Sequence, residues 1–170
     1  MKWHADVVLI LLSSTAMIAS AQSPTEDRRS PQQTEARGYW VDPSTGLTWT
    51  GKDNGKDLTW NKAAKYCRNL RLAGYSDWRL ATIDELEGIL DNTAKAPGLA
   101  GKHDNEPWTW HVKGNLFLTG FQWSSFQDLD IGGHLSPYAW LFDFNNGRPI
   151  KVQIGYSGFN RALCVRGPEK

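Results

Sequence analysis

Thr82 and Glu85, three residues apart at the head of an apolar run, constrain this chain more than any other pair. The Thr82 hydroxyl can accept from the backbone N–H of Glu85 while the Glu85 carboxylate reaches back to the N–H of Thr82, which is a capping box. A helix therefore starts at about Ile83. Ile83, Leu86, Ile89 and Leu90 fall on one stripe, and Asp84, Glu87 and Asp91 stay in water. Gly88 weakens that helix by roughly 1 kcal/mol against Ala, so packing must hold it. Just upstream, the Gly74 to Asp77 turn leads into an extended segment. There Trp78 and Leu80 share one face and Arg79 takes the other.

The chain in front of this unit divides into three. Lys2, the apolar run Val7 to Leu12 and the small residues Ala19-Ser20-Ala21 form the pattern of a secretory signal peptide, 1–21, cut after Ala21. The run is too short and too interrupted for a spanning helix, and no later stretch could cross a bilayer. Residues 22–37 are rich in Pro, Gln, Ser, Thr and charge, a flexible linker. A single domain follows over 38–170. Its formal charge of +1 argues against nucleic acid as a partner.

The coarse pattern is two helices followed by many short strands. Tyr39-Trp-Val41, a turn at Asp42 to Gly46 and Leu47-Thr-Trp49 read as a hairpin. Trp60 to Leu70 is helical, with Trp60, Ala63, Ala64 and Cys67 inward and Lys62, Lys65, Arg68 and Asn69 outward. Asp91 to Pro107 loses periodicity and reads as a long loop, a length at which loops are more often functional. Pro107 to Val112 and Leu116 to Leu118 look like a hairpin, with Trp108, Trp110 and Val112 on one face. Phe121 to Ser125 is a short strand and Phe126 to Pro137 a second loop. Tyr138 to Phe144 and Arg148 to Ile154 flank an Asn-Gly hairpin turn. Ala162 to Arg166 closes the chain.

Cys67 and Cys164 are the two cysteines, both in the exported part. One disulfide is the leading expectation. Two buried thiols, or a redox or metal pair, are the alternatives, although neither cysteine has Cys-x-x-Cys or Cys/His spacing.

Several motifs are more specific than this outline. Thr45-Gly-Leu-Thr-Trp49, Trp60-x-x-Ala-x-x-Tyr-Cys67, Asp77-Trp-Arg-Leu-Ala-Thr82 with Glu85-Leu86, Gln122-Trp-Ser-Ser125, Ala139-Trp140 leading to Gly147, and Cys164-Val-Arg166 occur in that order. The chain from about Gly38 to Gly167 resembles the DUF1566 family, also called the Lcl C-terminal domain after a collagen-like bacterial adhesin. It departs at Ala81, where the family usually has proline. The resemblance implies an α+β, C-type-lectin-like fold, related in shape to formylglycine-generating and sulfatase-modifying domains. It also implies a disulfide between Cys67 and Cys164, a periplasmic or extracellular location, and kinship with an adhesin domain that recognises sulfated glycosaminoglycans.

No enzyme is expected. Both cysteines match the family's disulfide positions, which sets aside a formylglycine-generating-type, metal-dependent chemistry. His103, His111 and His134 lack metal spacing, and there is no Gly-x-Ser-x-Gly elbow. No cofactor is expected. Calcium is the one metal kept open, on Asp128 and Asp130, although the final bidentate carboxylate of an EF-hand is missing. The expected function is a secreted, non-catalytic module that binds carbohydrate or another envelope polymer. A protein-interaction or scaffold module is the alternative. Candidate ligand-binding residues are Trp108, Trp110, His111, Asp128, Asp130, His134 and Tyr138, which combine flat apolar faces with hydrogen-bonding groups. Trp78, Trp123 and Trp140 are assigned to the core. Lys102, Lys113, Arg148, Lys151 and Arg161 would form an anion patch only if the fold converged them.

Overall fold

The computed structural model describes residues 37–96 and 109–167. The signal peptide, nearly all of the linker, the 97–108 part of the first long loop and the last three residues lie outside the described residues, Lys102, His103 and Trp108 among them.

The described residues form a mixed α+β structure with two α-helices and two four-stranded, mostly antiparallel sheets. β1 (Tyr39–Val41) and β2 (Thr48–Thr50) form the first hairpin, with Trp40 opposite Trp49. α1 (Trp60–Asn69), β3 (Arg79–Leu80) and α2 (Ile83–Gly88) follow. The second half comprises β4 (Phe121–Leu129), β5 (Leu135–Asp143), β6 (Arg148–Gln153), β7 (Asn160–Arg161) and β8 (Cys164–Arg166). The sheet orders are β1-β2-β8-β3 and β6-β5-β4-β7. The expected closing strand, 162–166, is shortened to β8, which sits between β2 and β3, and an additional strand before it, β7, runs parallel to β4 in the other sheet.

β8 separates two cores because its side chains alternate. Cys164, opposite Leu80, joins a cluster with Ala63, Cys67, Trp78, Trp123 and Leu141. Val165, opposite Trp49 and Arg79, joins a cluster with Trp49, Leu86, Ile89, Trp110, Phe142 and Phe144. Cys67 and Cys164 form a disulfide across 97 residues of chain, fixing α1 to β8. Two indoles fasten the chain entering and starting α1 to β4: Trp123 Nε1 donates to Leu58 O (2.7 Å) and Trp60 Nε1 to Ser124 O (2.9 Å).

The capping box forms as its spacing requires, with Glu85 N donating to Thr82 Oγ1 (3.2 Å) and Thr82 N to Glu85 Oε2 (2.9 Å). Glu85 does more than cap. Both its oxygens accept from the Arg79 guanidinium (2.7 and 2.8 Å), whose Nη2 also donates to Gly167 O. Burial opposes ionisation of Glu85, but the bonds from Arg79 and the Thr82 backbone outweigh it and hold the carboxyl below its ordinary value. Asp77, expected to order its own turn, instead pairs with Arg166 (2.8 and 3.0 Å) on the exposed rim.

Two further expectations change. Residues 109–112 and 116–118 do not pair with each other. Val112 bridges Leu90 and Phe117 bridges Lys52, because Val112, Leu116 and Leu118 are each drawn into the core from different directions. The second loop is shorter than its composition suggests. β4 extends to Leu129 and β5 begins at Leu135, so the turn residues are confined to 130–134. Among the described residues no helix is long and apolar enough to cross a membrane.

Replacing Cys67 and Cys164 together by Ala is expected to lower stability by about 4 to 5 kcal/mol, because the bridge closes a very long loop; urea unfolding under non-reducing conditions measures it. Glu85→Gln removes an ion pair that is mostly buried and should cost about 3 kcal/mol. Because the folded carboxyl titrates below its unfolded value, its contribution is full above that value and lost as pH falls through the lower folded one. The variant should therefore show a flatter loss of stability between neutral and acid pH than the parent.

Candidate functional site

A groove of about 640 Å³ opens among the described residues. One wall is the turn after β1, made rigid by the buried carboxylate of Asp42. Its Oδ1 accepts from Ser44 N (3.0 Å) and Ser44 Oγ (2.7 Å), and Oδ2 accepts from Thr45 Oγ1 (2.7 Å). Burial raises the cost of that charge, yet the bonds from Thr45 and Ser44, helped by Lys113, keep the carboxyl below its usual range. The opposite wall is the segment Asp91 to Ala96, where Asp91 Oδ1 accepts from Thr93 Oγ1 (2.6 Å) and Thr93 N (2.9 Å). Those bonds, the hydroxyl's first, lower the Asp91 pKa. Residues 112–115 close the end, with Lys113 Nζ donating to Gly88 O (2.8 Å).

Trp40 lines this groove and is half-buried. The backbone of Gly114 lies against its indole so closely that a Cβ there would come within 2.2 Å of ring carbon Cδ2, and Gly114 has φ +72°. Glycine is required on both grounds. Around the indole and Pro43 stand groups of both polarities. Asp91 Oδ2 and the Ser44 oxygen can accept, Lys95 can donate, and the Asn115 amide can do both.

His111 serves this site from behind. Its N–H donates to Phe144 O (3.0 Å), its carbonyl accepts from Asp91 N (3.0 Å), and ring Nδ1 lies 2.9 Å from Ala94 O. Since a carbonyl only accepts, Nδ1 carries the proton, and the imidazole braces the 91–94 turn. Trp110 is withdrawn from the ligand-binding candidates: it is 1 % exposed, inside the core, and its flat face cannot meet a ligand. The alternation placing Trp110 and Val112 on one face is real, but that face is the buried one.

The remaining candidates lie elsewhere. Asp128 pairs with Lys151 (2.5 Å), which lowers the Asp128 pKa, and the Lys151 ammonium stands 5.5 Å from the Tyr138 ring centroid. Asp130 folds the hairpin tip, its Oδ1 accepting from Gly132 N (2.8 Å) and His134 N (2.9 Å), with His134 Nδ1 3.4 Å away. His111 sits beside Phe144 and the tip precedes Leu135. The nine residues of β5 separate them, roughly 26 Å at the rise of an extended strand, so His111 and the hairpin tip do not share one site. Nor do Lys113, Lys151 and Arg161 converge. Lys151 is taken by Asp128, Arg161 is buried against Asp57 and Thr119, and Lys113 is turned to Gly88 O. Among the described residues no three His, Cys, Asp or Glu side chains are grouped to hold a metal ion.

Sequence reasoning missed a second polar centre. Asp53 is buried and accepts from Thr119 N (2.6 Å), Thr119 Oγ1 (2.9 Å), Gln122 Nε2 (3.0 Å) and Gly55 N (2.9 Å). Arg161 Nε extends the network to Thr119 Oγ1 (2.9 Å). Through Asp53, Thr119 and Gln122 the network welds the chain before α1 to the segment before β4.

Two helices, two short sheets and a bridge from the first helix to the last strand define a disulfide-stabilised α+β domain. The chain belongs to the Lcl C-terminal domain family, whose model matches residues 38–166. No curated protein matches it.

Gly114→Ala should strain the backbone and push into Trp40, costing about 2 kcal/mol. Thermal unfolding measures the loss, and the change in Trp40 environment should appear in near-ultraviolet circular dichroism.

Proposed function

We propose that this chain is an exported, non-catalytic binding module that takes carbohydrate in the groove over Trp40. The observation that carries the reading is the composition of that groove: an indole flanked by Asp91, Lys95, Asn115 and Ser44, acceptors and donors together, in one concavity. A sugar presents an apolar ring face edged by hydroxyls that both donate and accept, so it needs this mixture. The hairpin end with Tyr138 supports the reading less well, because Asp128 and Lys151 neutralise each other. Family membership supports an envelope or extracellular setting, as does the disulfide, which persists in oxidising compartments. The bridge from α1 to β8 supports the C-type-lectin-like reading of the fold. Engagement of both cysteines in that bond supports a binding role over thiol chemistry.

Glycan-array binding of the mature protein, followed by titration of the best oligosaccharide, tests this reading. Lys95→Ala and Asp91→Asn should each weaken binding at least about fivefold, the loss of one hydrogen bond to a charged group. His134→Ala, at the far end of β5, should leave affinity unchanged. Silence across neutral and acidic glycans, or full binding by both groove variants, would sink the reading.

A further inference from the structure

The outer face of α1 carries a second groove, of about 470 Å³, that shares no residue with the one over Trp40. Lys62, Lys65, Tyr66 and Asn69 recur at helical spacing along it, and Arg71 stands just beyond the helix end. The floor is Leu58, Leu70 and the Tyr66 ring, all at least partly open to solvent. The charge is one-sided. Between Lys52 and Arg71 the acids are Asp53, buried in its own network, and Asp57, paired with Arg161. Among the described residues no carboxylate forms an ion pair with Lys62, Lys65 or Arg71.

We infer that this groove docks an acidic peptide segment of a partner protein, with an apolar side chain seated on Leu58, Tyr66 and Leu70 and flanking carboxylates on Lys62, Lys65 and Arg71. Charge complementarity selects the acidic partner. The floor selects a peptide over an acidic polysaccharide, because lysine and arginine only donate and the hydroxyls of a sugar would find few acceptors there beyond Asn69 and the Tyr66 oxygen. An apolar side chain between Asp or Glu residues leaves nothing unpaired and buries the floor. The inference concerns a different surface from the carbohydrate reading and stands or falls separately.

The test is fluorescence anisotropy of the mature protein with a fluorescein-labelled peptide of one Phe flanked on both sides by Asp-Glu. The peptide should bind, and raising salt to about 0.5 M should weaken it strongly. The double variant Lys62→Glu/Lys65→Glu should lose at least about tenfold in affinity. Lys62→Gln/Lys65→Gln keeps part of each stem and should fall between. All these side chains are exposed, so unchanged near-ultraviolet circular dichroism certifies the fold. Replacing the peptide's Phe by Ser should weaken binding several-fold, and polygalacturonate, a carboxylated polysaccharide without apolar groups, should compete poorly. No binding by the parent protein, equal binding by the charge-reversed variant or the Ser peptide, or polygalacturonate competing at least as well as unlabelled peptide would each overturn the inference.

Discussion

The bond between Cys67 and Cys164 holds together two parts of the chain that sequence order keeps far apart. One partner lies on the buried stripe of α1 and the other in β8, the strand that both cores share. Because β8 is only three residues long, its pairing with β2 and β3 alone offers few backbone hydrogen bonds. The covalent tie presses it against α1 on one side, while Val165 fills the space beside Trp49 on the other. A small domain with short strands relies on such a staple because no single sheet is wide enough to dominate its stability.

Glu85 shows how one side chain can serve three levels of structure. Locally it completes the cap of α2; at middle range it pairs with Arg79 of β3; through Arg79 it reaches the carbonyl of Gly167 just after β8. A helix of only six residues, ending in a glycine, has little intrinsic stability, so this anchoring and the burial of Leu86 decide where it sits. Asp42 and Asp53 do comparable work in the irregular regions, each spending its carboxylate on nearby N–H and O–H groups. That is how a loop-rich chain keeps buried polar atoms satisfied.

What the sequence revealed follows from range. The capping box of Thr82 and Glu85, the Asn-Gly turn before Arg148 and the inward stripe of α1 depend on residues within a turn or two, and each was legible. The family motifs carried the disulfide. Trp110 was not legible as core, since alternation tells which residues share a face and not which face meets the protein. The Asp53 network was hidden because Asp53 and its donors on Thr119 and Gln122 are more than sixty residues apart. The groove over Trp40 was hidden for the same reason. Its walls come from three separate segments, and Lys113-Gly-Asn115, read as a hairpin turn, closes its end instead.

The switch of the chain from β7 to β8 has a consequence for biogenesis. Within seven residues, 160–166, the polypeptide completes the edge of one sheet and then an interior position of the other. Each sheet lacks one of its four strands until that stretch is made. The two sheets therefore reach their full width together, and Cys164, in the same stretch, brings in the covalent tie to α1.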